Sequence, residues 1–163
     1  MPYIIDGHNL IPRIPGLDLA SIDDEVQLIE LVQEFCRLRR KRAEIYFDNA
    51  PPGQPKARHY GQVLARFVRA GQTADDAIRA RLLRLGAEAR NWAVVSSDQQ
   101  VQLAVRAARA QPIPSEAFAR LLIDTLREGE SKPGQEAKSS LGAGEVEEWL
   151  DLFTSGGDRS DET

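Results

Sequence analysis

The chain runs to 163 residues and 18.1 kDa, with 42% apolar and 28% charged residues; that is one domain's worth of core, and too apolar for a disordered chain. A single cysteine, Cys36, excludes a disulfide scaffold, and no apolar run approaches the roughly 20 residues of a membrane-spanning helix. The net charge of −4 is uneven: residues 145–163 carry seven acids against Arg159, which leaves residues 1–144 with 20 basic and 18 acidic side chains. A mildly basic body with an acidic tail is compatible with a nucleic-acid partner. The opening Met1-Pro2-Tyr3-Ile4-Ile5-Asp6 lacks a signal peptide's basic flank, so the expected setting is the cytoplasm, with no membrane partner.

Taken in chain order, Tyr3-Ile4-Ile5 reads as a buried strand stopping at Asp6-Gly7. Pro12, Pro15 and Gly16 mark a loop. Ser21 is a helix cap with Asp24 three residues on. Ile22, Val26, Ile29, Val32 and Cys36 form the apolar face of the helix that follows, widened by Leu28, Leu31 and Phe35. That helix ends in Arg37, Arg39, Arg40, Lys41 and Arg42, which suit the negative end of its dipole. A second strand covers Ala43–Phe47 and stops at Asp48; Pro51, Pro52, Gly53 and Pro55 predict a loop. Val63–Val68 reads as a third strand, and Thr73-Ala74-Asp75-Asp76 opens a second helix. Trp92–Val95 is a fourth strand closed by Ser96-Ser97-Asp98, with helices to about Arg106 and from about Ser115 to Leu126. Strands alternating with helices predict an α/β fold with a mainly parallel sheet of four or five strands.

The Gly- and Ser-rich stretch at 129–144 reads as a flexible linker after a domain at 1–128. Val146, Trp149, Leu150 and Phe153 predict a short amphipathic helix at 145–153, and 154–163 reads as a disordered acidic tail. The tether is long enough for the acidic segment to reach the basic side chains as an RNA mimic, although a solubilising tail explains it as well.

Three predicted strands end alike, at Asp6, Asp48 and Asp98, and Asp75 and Asp76 open the helix after the third strand. The carboxyl ends of parallel strands share one edge, where open α/β sheets bind ligands. Carboxylates gathered there repel one another and raise one another's pKa. A hard divalent cation, Mg²⁺ or Mn²⁺, resolves that conflict, and an acidic pocket holding such a cation suits phosphodiester cleavage. Each acid has a structural alternative. Asp98 and Asp76 are placed to cap helices, Asp75 gains from a helix dipole, and Asp48 suits a turn. Asp6 is the hardest to explain away.

Asn9, one turn beyond Asp6, is placed either to orient water or a phosphate or to serve as a turn residue. His8 reads as structural, Cys36 as core, and the distance between His8 and His59 leaves no zinc pattern. Arg39, Arg40 and Arg42 offer a phosphate-binding rim or a solvated helix end. Lys56, Arg58, His59 and Tyr60, predicted in a loop beside Asp48, combine charge with an aromatic ring as single-stranded nucleic acid requires.

These motifs carry a family resemblance. Ile4-Ile5-Asp6-Gly7-His8-Asn9-Leu10-Ile11 resembles the opening motif of the NYN domains, a PIN-like ribonuclease group, and in particular its bacterial YacP-like subfamily. Phe47-Asp48-Asn49, Thr73-Ala74-Asp75-Asp76 and Val94-Val95-Ser96-Ser97-Asp98-Gln99 resemble further motifs of that subfamily in order, and Glu145–Phe153 its closing segment. The resemblance implies a PIN-like three-layer α/β/α fold and metal-dependent endoribonuclease activity, with mRNA and the ribosome as partners. It implies Asp6, Asp48, Asp75 and Asp98 as metal-binding acids, Asp76 as their backup, and Asn9 and Ser97 as helpers. His8 stands where the family usually has tyrosine, Asn49 where it has a small residue, and Arg106–Gln111 lacks the expected glycine. None of these departures removes a carboxylate. Two rival readings are a non-catalytic RNA- or ribosome-binding module and a phosphatase. The second is disfavoured because a phosphoaspartate enzyme wants an aspartate at position 8, where His8 stands.

Overall fold

The computed structural model describes residues 1–17, 22–50, 53, 55–69 and 71–130. The cap expected of Ser21, the expected tail helix, the acidic tail and nearly all of the expected linker lie outside the described residues. Strand β1 (Tyr3–Asp6) leads into a four-residue helix α1 (Gly7–Leu10) and a 3-10 turn (Ile11–Arg13). Helix α2 (Ile22–Arg39) precedes β2 (Ala43–Ala50), β3 (Ala57–Tyr60) and β4 (Val63–Arg69). Helix α3 (Ala74–Leu85) and a 3-10 turn (Gly86–Asn91) then lead to β5 (Ala93–Val95), α4 (Gln99–Ala107), β6 (Gln111–Ile113) and α5 (Ser115–Glu130).

The strands form one six-stranded sheet in the order β3-β4-β2-β1-β5-β6. All pairings are parallel except β3 with β4. The sheet is therefore larger than the four or five strands expected, and the segments at 57–60 and 111–113 account for the difference. The prolines before residues 57–60 predict a loop there. In the structure a two-residue turn containing Gly61, at φ +62°, folds them back on β4. Strand β6 contains Pro112, which cannot donate to a ladder, but it lies at the sheet edge and needs only one partner. Its bonds run through Gln111 N–H to the Trp92 carbonyl and from Ser96 N–H to the Ile113 carbonyl.

Alternation along the central strands sorts the core into two layers, as a sheet covered on both faces requires. Tyr3, Ile5, Ile45, Phe47 and Val95 face a cluster that includes Leu28, Val32 and Phe35 of α2 with Phe118 and Leu122 of α5. Ile4, Tyr46 and Val94 face the other, built on Ile78 and Leu82 of α3 with Val101 and Val105 of α4. The result is the three-layer α/β/α arrangement. On α2, Val26 is 44% exposed rather than part of the apolar face; it lies about 120° round the helix from Val32. Glu44 is buried on the α3 face, where Arg81 binds it through Nε and Nη2 and the Tyr46 hydroxyl donates to it at 2.9 Å. This pairing satisfies a carboxylate that would otherwise be costly inside.

Every crossover helix starts at the carboxyl edge of the parallel strands and ends at the amino edge. That rule places the first turns of α2, α3 and α4 at the carboxyl edge, and α5, which follows β6, starts there too.

Candidate functional site

Asp6 is the last residue of β1, between the buried ends of its two neighbouring strands. The backbone turns directly into α1 at Gly7, where a Cβ would overlap the Phe47 ring and stand 3.0 Å from the Tyr46 carbonyl oxygen. Only glycine admits that close approach. The Asp6 carboxylate does not cap α1; it accepts a 3.1 Å bond from the Ser96 hydroxyl and is 8% exposed. Burial, with the charges of Asp48 and Asp98 alongside, raises its pKa to about 6 against the opposing pull of Ser96 and His8. Asp6, Asp48 and Asp98 thus share one electrostatic environment.

Asp48 lies where the pairing of β2 with β4 shifts register beyond Phe47, which bends the strand end. Its Oδ1 accepts from His8 Nδ1 at 2.7 Å, and its Oδ2 faces the Ala74 amide at the start of α3 at 3.5 Å. The other nitrogen of His8 donates to Glu25 Oε2 at 2.5 Å. Hydrogen bonding to Glu25, then to Asp48, raises the His8 pKa despite burial, so the imidazolium bridges two carboxylates. Glu25 was absent from the predicted set. Its signal was the Asp23-Asp24-Glu25 run in the first turn of α2, which reads at first sight as dipole chemistry alone.

Asp98 caps α4: its Oδ1 accepts from the amides of Gln100 and Val101 at 2.8 and 3.2 Å. Asp75 pairs with Arg79, Oδ2 lying 3.3 Å from Nη2 and Oδ1 3.1 Å from Nε. Burial, aided by Asp98 and Asp76, nevertheless raises the Asp75 pKa against Arg79. Asp76 is exposed, and its amide donates to the Thr73 hydroxyl at 3.0 Å, the expected cap of α3. Asn9 uses its side-chain oxygen structurally, accepting from the Ser97 amide at 2.8 Å and the Ser115 hydroxyl at 2.6 Å. Ser97 in turn donates to Glu116 and accepts from the Ser115 amide. Asn9 and Ser97 thereby tie the ends of β5 and β6 to α1.

Of the predicted basic residues only Lys56 reaches this edge, its carbonyl accepting from Phe67 N–H, the β4 residue paired with Phe47 beside Asp48. Arg39, Arg40 and Arg42 lie at the end of α2 and the start of β2; the Arg42 carbonyl accepts from Tyr3 N–H, at the opposite end of β1 from Asp6. Arg39 lies over Phe35 and Arg42 over Trp92. Lys56, Arg58, His59 and Tyr60 run along β3 and its approach, not in a loop. Lys56 pairs with the Phe67 level of β4, and Tyr60 with Val63 at the amino edge.

The carboxylate edge offers hard oxygen donors without thiolates, the set that suits Mg²⁺ or Mn²⁺. Among the described residues, no three histidine, cysteine, aspartate or glutamate side chains form a ready-made cage. A Mg²⁺-like ion typically takes only one or two carboxylates, with waters and substrate phosphates completing its shell. The donor set and the crowded charge at Asp6 fit such an ion.

A profile of the YacP-like NYN domain matches residues 3–151. The fold is similar to the crystal structure of Rae1 (YacP) from Bacillus subtilis, at 24% identity over 99% of this chain and 96% of that one, with a TM-score of 0.70. A tryptophan-to-leucine mutant of that protein matches at 23% identity over the full length of both chains, with a TM-score of 0.67. No curated protein matches the chain.

Proposed function

The chain belongs to the YacP-like NYN domain family, a nuclease-type fold acting on RNA, and from that premise we propose that it is a Mg²⁺- or Mn²⁺-dependent endoribonuclease. Its substrate is single-stranded RNA, including mRNA presented on ribosomes, in the cytoplasm. The observation that carries this reading is the position of Asp6: a buried carboxylate at the end of a central strand, strained by the charges of Asp48 and Asp98. Asp6, Asp48 and Asp98 would hold the cation. Asp75 joins them only if it gives up part of its pairing with Arg79, and Asp76 stands in reserve. When bound, the cation supplies charge neutralisation and Lewis-acid polarisation of a phosphate oxygen.

The chain's own residues contribute positioning. His8, pinned by Glu25, holds Asp48 in one orientation, and Ser96 does the same for Asp6. Asn9 and Ser97 keep the loops after β5 and β6 in place, so that Asp98 stays beside Asp6.

The test is cleavage of an end-labelled single-stranded RNA with Mg²⁺ or Mn²⁺, with and without EDTA, comparing wild type with Asp6→Asn and Asp98→Asn. The expected result is internal cutting that needs metal and falls at least a hundredfold in Asp6→Asn. Full activity in both variants, or in EDTA, would overturn the assignment of the site. RNA binding without cleavage, indifferent to metal, would support the non-catalytic module instead.

A further inference from the structure

At the amino edge of the sheet, opposite the carboxylates, lies a cavity of about 510 Å³ whose lining includes Arg37, Arg40, Lys41 and Arg42 with Cys36 and Gln62. Among the described residues, no carboxylate lines it. Arg37 is held by Glu34 and Arg42 lies over the Trp92 ring, which leaves Arg40 and Lys41 without a carboxylate partner among the described residues. Basic residues at a helix end are commonly explained by the exposed carbonyls there. Here the backbone closes the end of α2 itself: Lys41 N–H donates to the Cys36 carbonyl at 3.0 Å. Arg40 sits at the position after the helix with φ +57°, a left-handed conformation that suits glycine better than any residue with a Cβ. The Arg40 side chain is therefore not needed to close the helix; Arg109, at φ +66° after α4, shares that backbone conformation but lies outside the cleft.

We propose that this cleft is a docking site for the phosphate backbone of RNA, separate from the carboxylate edge. The inference rests on RNA being the ligand of this protein. Clustered, uncompensated cations bind phosphates through counterion release and without reading bases. The cleft is separated from Asp6 by at least the length of β1, about 10 Å. It therefore engages a part of the RNA remote from the scissile phosphate, and long RNAs gain from it while short ones do not.

The experiment measures binding of labelled single-stranded and duplex RNA to the full chain in EDTA, across a range of KCl concentrations. It compares wild type with Arg40→Gly, Arg40→Gly/Lys41→Gln and Arg120→Gln, the last an exposed cation on α5. Arg40→Gly relieves the backbone as it removes the charge, so its thermal midpoint should hold or rise, and weaker binding cannot be put down to misfolding. The double variant should lose roughly tenfold in affinity at low salt, and the slope of log K against log salt should fall by about 0.7–0.9 per cation removed. Arg120→Gln should change little. Unchanged affinity and slope in the double variant, or an equal loss in Arg120→Gln, would overturn the proposal. So would competition by inorganic phosphate as effective as that by RNA, which would mark a site for small anions. Binding is read in EDTA and without any cleavage step, so this result stands or falls independently of whether the protein cleaves.

Discussion

Asp6 sits in an environment that works against its own ionisation. Its pKa of about 6 lies above the value of about 3.8 expected once the chain unfolds, so the native state binds the proton more tightly. A raised carboxylate pKa lowers stability as pH climbs from about 4 through 6, and the full cost is present at neutral pH. The shift corresponds to about 3 kcal/mol as an upper figure. Asp6→Asn removes the charge and keeps the size of the side chain. Without metal it should therefore be more stable than wild type at pH 7, by about 1–3 kcal/mol, and equal to it below about pH 4. Denaturant titrations at the two pH values would show this; equal stability at pH 7 would mean that Asp6 is not under charge stress. At this same scale the sequence was only half legible. Asp6 is visible as a charge ending a buried run, whereas the His8 bridge from Asp48 to Glu25 spans 40 and 17 residues. No local pattern announces such a contact.

The helix starts show how one residue serves two purposes. Asp98 caps α4 through Oδ1 and also adds its charge to Asp6. Asparagine caps as well as aspartate, while alanine does not cap. Asp98→Ala should therefore cost about 1 kcal/mol of stability and Asp98→Asn close to none, yet both should lower cleavage alike. Activity retained in Asp98→Asn and lost only in Asp98→Ala would reduce Asp98 to a cap. The caps of α3 and α4 were readable in advance: Thr73 accepts from the Asp76 amide as its spacing predicts. The edge strands were not, because β3 and β6 are short, carry or follow prolines, and exist through pairing with β4 and β5. Local propensity is a weak guide where a ladder partner decides the matter.

Across the whole molecule, parallel crossovers sort charge by direction. Helix starts bring acids to the carboxyl edge, and helix ends bring arginines to the amino edge. Among the described residues, the acids cluster around Asp6 while Arg37, Arg40, Lys41 and Arg42 line the far cleft. A cation bound to the native acids but not to the unfolded chain stabilises the fold by mass action, about 2.7 kcal/mol at a hundredfold excess over its Kd. Mn²⁺ or Mg²⁺ should therefore raise the thermal midpoint of wild type by several degrees and that of Asp6→Asn by much less. Equal shifts in the two proteins would place the cation elsewhere.

The α/β class, the apolar runs that bury β1 and β5 on both faces, and the caps of α3 and α4 all rest on short-range pattern, and the sequence alone determined them. The six-strand order, the Glu25-His8-Asp48 bridge, the structural use of Asn9 and the placing of the α2 arginines on the opposite edge from Asp6 depend on which segments meet. Those meetings are settled by strand pairing and by burial on two faces at once, energies that exist only when the whole sheet is assembled, and so only the tertiary structure decided them.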